Sequence, residues 1–357
     1  MTKPSILVMA GGTGGHIFPG LAVAEYLRAR GWSVAWLGNP NGMEYRLVPG
    51  RGFQFESVVF GGLRGKGLLT KLMLPLNLAR ACWQGWSIIR RLKPSVVLGM
   101  GGYITFPGGL MSALLKRPLV LHEANSVAGS ANRYLSKIAT KTLTGFPNTL
   151  PGSEWVGNPI RTEFEVLDTP AQRYGKRAGP LSLLVVGGSL GASALNETIP
   201  AALALIPLEN RPIVLHQAGE KHVDGVKQRY AEWGVVADVR AFIDDMAGAY
   251  ASADLVVCRS GAMTVSELAA SGVASCLVPF PFAIDDHQTA NAQFLANANA
   301  AKLLPQTEFN PSAFAQWLQG IGRIDLLQMA ECAHQLAKMQ ATERVAAICA
   351  ECAEVSR

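Results

Sequence analysis

Along most of the chain, short uninterrupted apolar runs alternate with amphipathic stretches. Ile6–Met9, Val34–Leu37, Ser95–Leu98, Leu119–His122 and Lys141–Thr144 read as buried strands, with helical patterns between most of them. The first such helix is expected from about Phe18 to Arg30. Near Val156-Gly-Asn-Pro159 the rhythm breaks, and a polar stretch to about Gly179 reads as a linker. The scheme then restarts with Ser182–Val186, Ile213–His216, Val239–Ala241, Leu255–Val257 and Ala274–Val278. After about Phe314 the pattern is helical and ends in the alanine-rich Glu343–Val355, which is expected to pack back on the first domain. Strand alternating with helix predicts a parallel sheet covered on both faces. The fold class is therefore α/β, with two Rossmann-like domains facing across a cleft, divided as 1–160, 161–340 and a C-terminal helix at 341–357.

Composition leaves this picture standing. A chain of 357 residues, 49% hydrophobic and 16% charged, suits two well-packed domains. No run of about 18 apolar residues exists to span a bilayer. Thr2, Lys3 and Pro4 lead straight into a strand, so no signal peptide is expected. Cys349-Ala-Glu-Cys352 has redox or metal spacing, but it lies in a helical pattern with no second pair or nearby histidine, and reads as structural thiols. Charge does change the picture. Residues 1–160 hold 17 Lys and Arg against 5 Asp and Glu (+12), and residues 161–357 hold 15 against 21 (−6), which sum to the net +6. The basic half points to an anionic partner, with nucleic acid and anionic lipid both open.

Candidate chemistry begins at Gly11-Gly-Thr-Gly-Gly-His16, a glycine-rich turn between the first strand and its helix, where backbone N–H groups can approach an anion. The third glycine of a dinucleotide fingerprint is missing, the second strand ends Ala35-Trp-Leu-Gly-Asn39 without an acid for a ribose, and no Gly-Lys-Ser/Thr follows. A helix N-terminus beside His16 instead suits a site where an oxygen nucleophile meets a phosphate; the bland alternative is a tight turn with a capping histidine. Gly187-Gly-Ser-Leu-Gly-Ala192 makes the same offer in the second half, with Ser189 adding a hydroxyl. Arg259-Ser-Gly-Ala-Met-Thr-Val-Ser-Glu267 opens another helix, and Glu267 there can accept from two vicinal hydroxyls. Asp285-Asp-His-Gln-Thr-Ala-Asn291 clusters groups able to bind a sugar. No spaced D-x-D occurs, which favours metal independence. His122-Glu-Ala-Asn125 and Gly101-Gly-Tyr103 both stand at strand ends, where α/β sheets place ligands.

Residues 61–93 mix cations with bulky apolar groups: Arg64, Lys66, Lys71, Leu72, Leu76, Trp83, Trp86, Arg90 and Arg91. That interleaving matches an interfacial helix on anionic lipid, against the alternative of a core-facing helix with a solvated basic side. Nucleic acid fits less well, because no nucleic-acid motif accompanies the aliphatics.

Seven segments taken in order resemble the MurG family: Gly11–Gly20, Gly99–Tyr103, His122–Asn125, Gly157–Arg161, Gly187–Ala192, Arg259–Ala262 with Glu267, and His287–Ala292. The resemblance spans essentially the whole chain. It implies the GT-B glycosyltransferase fold and inverting transfer of GlcNAc from UDP-GlcNAc to the C4 hydroxyl of MurNAc in lipid I, giving lipid II, without a cofactor or metal. It also implies a peripheral place on the cytoplasmic face of the bacterial plasma membrane. By the same resemblance, Ile243 presents backbone groups to uracil, Ala262, Met263 and Thr264 contact the diphosphate, Val265 and Ser266 belong to the same UDP-GlcNAc site, and Glu267 holds the ribose. Arg161 and Ser189 approach phosphate, and Gln288 and Asn291 the sugar. Thr13, Gly14, Gly15 and Asn125 line the acceptor side and touch the donor sugar, with Gly12, Gly102 and Tyr103 beside them. His16 is the first candidate for the base and Glu123 the second. Lys71, Leu72, Leu76, Trp83 and Trp86 then form a membrane dock. Three other readings remain: a transferase with another lipid acceptor, a UDP-GlcNAc 2-epimerase, and a nucleotide-sugar binding module.

Overall fold

A computed structural model describes residues 3–61, 72–188 and 191–355, without the side chain at 284. The chain divides into two compact units, Met1–Ile160 with Gln340–Arg357, and Arg161–Met339.

The first unit runs β1 (Ser5–Met9), α1 (Gly14–Ala29), β2 (Ser33–Gly38), α2 (Glu44–Gly50), β3 (Gln54–Ser57), α3 (Leu74–Leu92), β4 (Val96–Gly99), α4 (Thr105–Leu114), β5 (Leu119–Glu123), α5 (Ser130–Leu135), β6 (Lys141–Thr144) and β7 (Glu154–Trp155). Its seven described strands are parallel in the order β3-β2-β1-β4-β5-β6-β7. The two-residue period of a strand divides β1 between two cores. Ile6 and Val8 face Ile17, Leu21 and Leu27 of α1, whereas Leu7 and Met9 face Ala81, Ile88 and Ile89 of α3 and Ile104. The expected strands are present. The first helix begins at Gly14, four residues ahead of the sequence expectation, which puts two poor helix formers in its first turn.

The second unit runs α6 (Pro170–Gly175), β8 (Ser182–Val186), α7 (Ser193–Ala204), β9 (Ile213–Gln217), α8 (Val223–Glu232), β10 (Asp238–Arg240), α9 (Met246–Ser252), β11 (Leu255–Cys258), α10 (Ala262–Ser271), β12 (Ala274–Leu277), α11 (His287–Ala296), β13 (Lys302–Leu303), α12 (Pro311–Gln319) and α13 (Arg323–Gln335). Its six described strands are parallel and lie in the order β10-β9-β8-β11-β12-β13. The polar stretch read as a linker is folded onto this unit. Tyr174 donates from its hydroxyl to Asp254 O (2.7 Å), and Arg173 donates to the carbonyls of Ser271 and Gly272. Asp254, fully buried, accepts from Arg177, Arg323 and the Ser182 N–H.

Finally α14 (Ala341–Val355) returns to the first unit, where Val345, Ile348, Cys349 and Cys352 join the α1 core. Burial pushes both thiols up, as expected of packing groups rather than reactive ones.

Candidate active site

In a doubly wound sheet, ligands sit beyond the carboxyl ends of the strands where the winding reverses. In the first unit that point is β1 beside β4, and the loops leaving those strands are Gly11–Thr13 and Met100–Ile104. They touch: a Cβ on Gly102, whose φ is +84°, would strike the Gly11 carbonyl. Only glycine permits both that angle and that approach. Tyr103 lies beside Gly12 and stacks at a tilt on Phe60, 6.4 Å between ring centres.

His16 is the third residue of α1. Its Nδ1 lies 3.3 Å from Gly11 O and 3.4 Å from Thr13 Oγ1. A carbonyl can only accept, so a hydrogen bond to Gly11 O calls for the proton on Nδ1, which leaves Nε2 as the basic nitrogen of the neutral ring. No side chain caps the first turn of α1, which leaves the Gly14 and Gly15 N–H groups directed at incoming acceptors.

Glu123 is buried at the end of β5, with its two oxygens engaged by the loop that follows. Oε1 accepts from the Asn125 N–H (3.0 Å), and Oε2 accepts from the Gly129 N–H (3.1 Å) and Asn132 Nδ2 (2.9 Å). The carboxylate thus holds the loop that carries Asn125. His122, fully buried, bonds Gly157 O through Nε2 at 2.8 Å, and Asn158 donates to Ala124 O at 3.0 Å, so the Gly157-Asn158 motif braces the same loop. Desolvation lowers the pKa of His122, against weaker upward pulls from its bond to Gly157 O and then from Glu123.

In the second unit the reversal lies between β8 and β11. Ser189 lies outside the described residues, but the end of its loop is fixed. A Cβ on Gly191, φ +78°, would strike Ala218 O beyond β9. After β11, Gly261 precedes α10 without any side-chain cap, so the Ala262, Met263 and Thr264 amides face an open end, while the Val265 N–H is already within the helix on Gly261 O. Ser266 and Glu267 lie further along. Glu267, its side chain 15% exposed, meets Arg161 at 3.5 Å, and Arg161 also covers the Phe164 ring. Burial pushes the Glu267 carboxyl up to about 7; Arg161 opposes this without offsetting it.

Ile243 is buried, and its N–H donates to Gln217 Oε1 (2.9 Å), so its backbone donor is already used. Gln288 accepts from the Phe280 N–H through Oε1 (2.9 Å), which orients its amide NH₂, and Asn291 is buried with Nδ2 on Ser260 O (3.2 Å). Arg259 is occupied by structure, donating to Val278 O, Pro279 O and Gln306. Among the described residues no cluster of three His, Cys, Asp or Glu side chains could hold a metal.

On α3, Ala81, Gly85, Ile88 and Ile89 face inward, whereas Leu76 and Trp83, seven residues apart, share the outer face and are 63% and 66% exposed. Leu72 is also exposed, and Arg90 covers the Trp86 ring at 4.9 Å. Lys71 lies outside the described residues. No described helix is long and apolar enough to cross a membrane.

Sequence reasoning missed Glu44, the first residue of α2. It is fully buried beneath the first glycine loop and accepts from the Gly12 and Asn39 N–H groups. An acid just past the end of the strand neighbouring β1 was the available signal. Asn132 and Gln217 were missed as well, because their partners lie in other elements.

Comparison with known proteins converges on one description. The model for the glycosyltransferase family 28 N-terminal domain matches residues 6–144, and that for its C-terminal domain matches residues 182–347. A protein of Polynucleobacter asymbioticus, named UDP-N-acetylglucosamine–N-acetylmuramyl-(pentapeptide) pyrophosphoryl-undecaprenol N-acetylglucosamine transferase, is 72% identical over 355 residues, 99% of each chain. A Ralstonia nicotianae protein of the same name is 60% identical over 348 residues, 97% of this chain and 95% of that one. Among solved structures, Acinetobacter baumannii MurG superposes with a TM-score of 0.88 at 40% identity, over 98% of this chain and 99% of that one.

Proposed function

Because the chain belongs to glycosyltransferase family 28, with the GT-B fold, we propose that it transfers GlcNAc from UDP-GlcNAc to the C4 hydroxyl of MurNAc in lipid I, forming lipid II. The observation that carries this reading is the 72% identity, over nearly all of both chains, to a transferase of that name.

In this reading the second unit takes the donor. The open amides of α10 and the guanidinium of Arg161, with Ser189, meet the diphosphate; Glu267 accepts from the ribose hydroxyls; the Ile243 carbonyl meets uracil; and Gln288 and Asn291 meet the sugar. The first unit takes the acceptor at Gly12–Gly15, Gly102, Tyr103 and Asn125. His16 is the base, and Glu123 keeps Asn125 in place. The acceptor oxygen bonds to C1 of GlcNAc as the C1–O bond to UDP breaks, inverting the α-linked donor to a β1,4 product. The hydroxyl proton passes to Nε2 of His16, and UDP leaves with the electron pair, its charge met by amide dipoles and Arg161. No metal or cofactor is assigned a step. The Leu72, Leu76 and Trp83 face, with Lys71 and Trp86, docks on anionic lipid and makes the protein peripheral to the membrane that carries the acceptor.

Purified protein given UDP-GlcNAc and a lipid I analogue should release UDP and form the disaccharide. Donor consumption without acceptor would favour an epimerase instead, and an intact fold with no turnover would overturn the reading.

A further inference from the structure

The peptide joining Gly11 to Gly12 is held from both sides. Its N–H donates to Glu44 Oε2 at 3.3 Å, and its C=O accepts from His16 Nδ1 at 3.3 Å. Glu44 is fully buried, and among the described residues no cation pairs with it; its other oxygen accepts from the Asn39 N–H at 3.0 Å. The carboxylate fits only because Gly11 and Gly42 carry no side chain: a Cβ on either would collide with it. A carboxylate in this position does more than place negative charge in the first turn of α2. Drawing on the N–H of a peptide makes the carbonyl of the same peptide a stronger acceptor, since hydrogen bonds in series polarise one another.

We propose that Glu44 is a positioning residue for His16, acting through the Gly11–Gly12 peptide. It fixes the imidazole with its proton on Nδ1 and raises the basicity of Nε2, the task that an orienting carboxylate performs when it binds a histidine directly. Here a peptide unit stands between the two, so the negative charge stays buried under the loop and away from an anionic acceptor. Among the described residues, the other titratable groups near this loop are Tyr103, beside Gly12, and His122 with Glu123 at the end of β5; charge on His16 disfavours protonation of His122. The inference rests on His16 as the base of the proposed transfer.

The test uses the full chain. Nitrogen-15 histidine NMR, with the His16 signals identified by their loss in His16→Ala, should show neutral His16 protonated on Nδ1. The Nε2–H tautomer would overturn the proposal without any change at Glu44. In Glu44→Gln the His16 pKa should fall by about one unit. The acid limb of kcat should move with it, and kcat should drop about tenfold while KM for UDP-GlcNAc stays put. Adding Glu44→Gln to His16→Ala should cost nothing further. A folded Glu44→Gln protein with His16 titrating unchanged would refute the relay. Full turnover by His16→Ala would instead remove the base assignment, which the NMR result does not depend on.

Discussion

Glu267 should make donor binding depend on pH near neutrality. Burial lifts its carboxyl from the ordinary 4.5 to about 7, and Arg161, at 3.5 Å with its head half exposed, recovers only part of the loss. That lift sets about 3 kcal/mol against the ionised form in the unliganded unit. For stability the sign is unfavourable at high pH: the contribution is complete below 4.5 and is lost as pH rises through about 7. For binding the direction is opposite. Two ribose hydroxyls donate to a carboxylate and stabilise its charge, so UDP-GlcNAc should bind the ionised protein and expel a proton. At pH 6 only about one molecule in eleven is ionised, so Kd should be about tenfold weaker than at pH 8, where nearly all are. The pyrophosphate of the donor is a diester and does not titrate in this range. Calorimetry in buffers of different ionisation enthalpy should record close to one proton released per donor at pH 6 and almost none above pH 8. Glu267→Gln should abolish both the slope and the proton. A flat affinity between pH 6 and 8, or an equal slope in the variant, would refute the argument.

Three further outcomes are expected. His16→Ala should lower kcat by about a hundredfold to ten-thousandfold, the usual value of a positioned base, with UDP-GlcNAc affinity by calorimetry unchanged. Replacing Leu72, Leu76 and Trp83 together with serine should reduce sedimentation with anionic vesicles at least about tenfold while leaving donor affinity intact, because each apolar group buried in lipid contributes about 1.5–3 kcal/mol; equal sedimentation would remove the dock from this face. Asp254→Ala should destabilise the second unit by about 3–5 kcal/mol in urea unfolding, since it removes the buried carboxylate that Arg177 and Arg323 share and that the Ser182 N–H donates to. Burial raises the pKa of Asp254, but bonds from Arg323, the Ser182 N–H and Arg177 outweigh it and hold the pKa below the ordinary 3.8. The stabilisation is therefore present above 3.8 and lost as pH falls through the lowered value.

The sheets were legible because each covered strand is an apolar run between turn residues, and that local signal survives folding. What escaped the sequence was whatever depends on a distant partner. Residues 161–179 look like a polar linker until Arg173 and Tyr174 are placed against carbonyls some eighty to a hundred residues away. Glu44 looks like an acid at a helix start, and only the return of β1 beside β2 shows that it lies under the glycine loop. Glu123 reads as a strand-end carboxylate open to either role; the loop amides on its oxygens favour holding Asn125. The start of α1 escaped for another reason. Gly14 and Gly15 have little helical propensity, so their helical state comes from packing between β1 and the rest of α1 rather than from their own preference.

The return of α14 to the first unit has a consequence for synthesis. The chain leaves that unit at Ile160 and re-enters it at Gln340. While the second unit is being made, the first has its seven strands but lacks Val345, Ile348, Cys349 and Cys352, so the apolar side of α1 that they cover stands open to water. The second unit, continuous in sequence, can close its core as soon as it emerges from the ribosome, whereas the first must wait for the last helix. The order of completion is therefore the reverse of the order of translation. The interval during which the first unit is vulnerable to aggregation or proteolysis lasts as long as the ribosome takes to pass through the whole of the second.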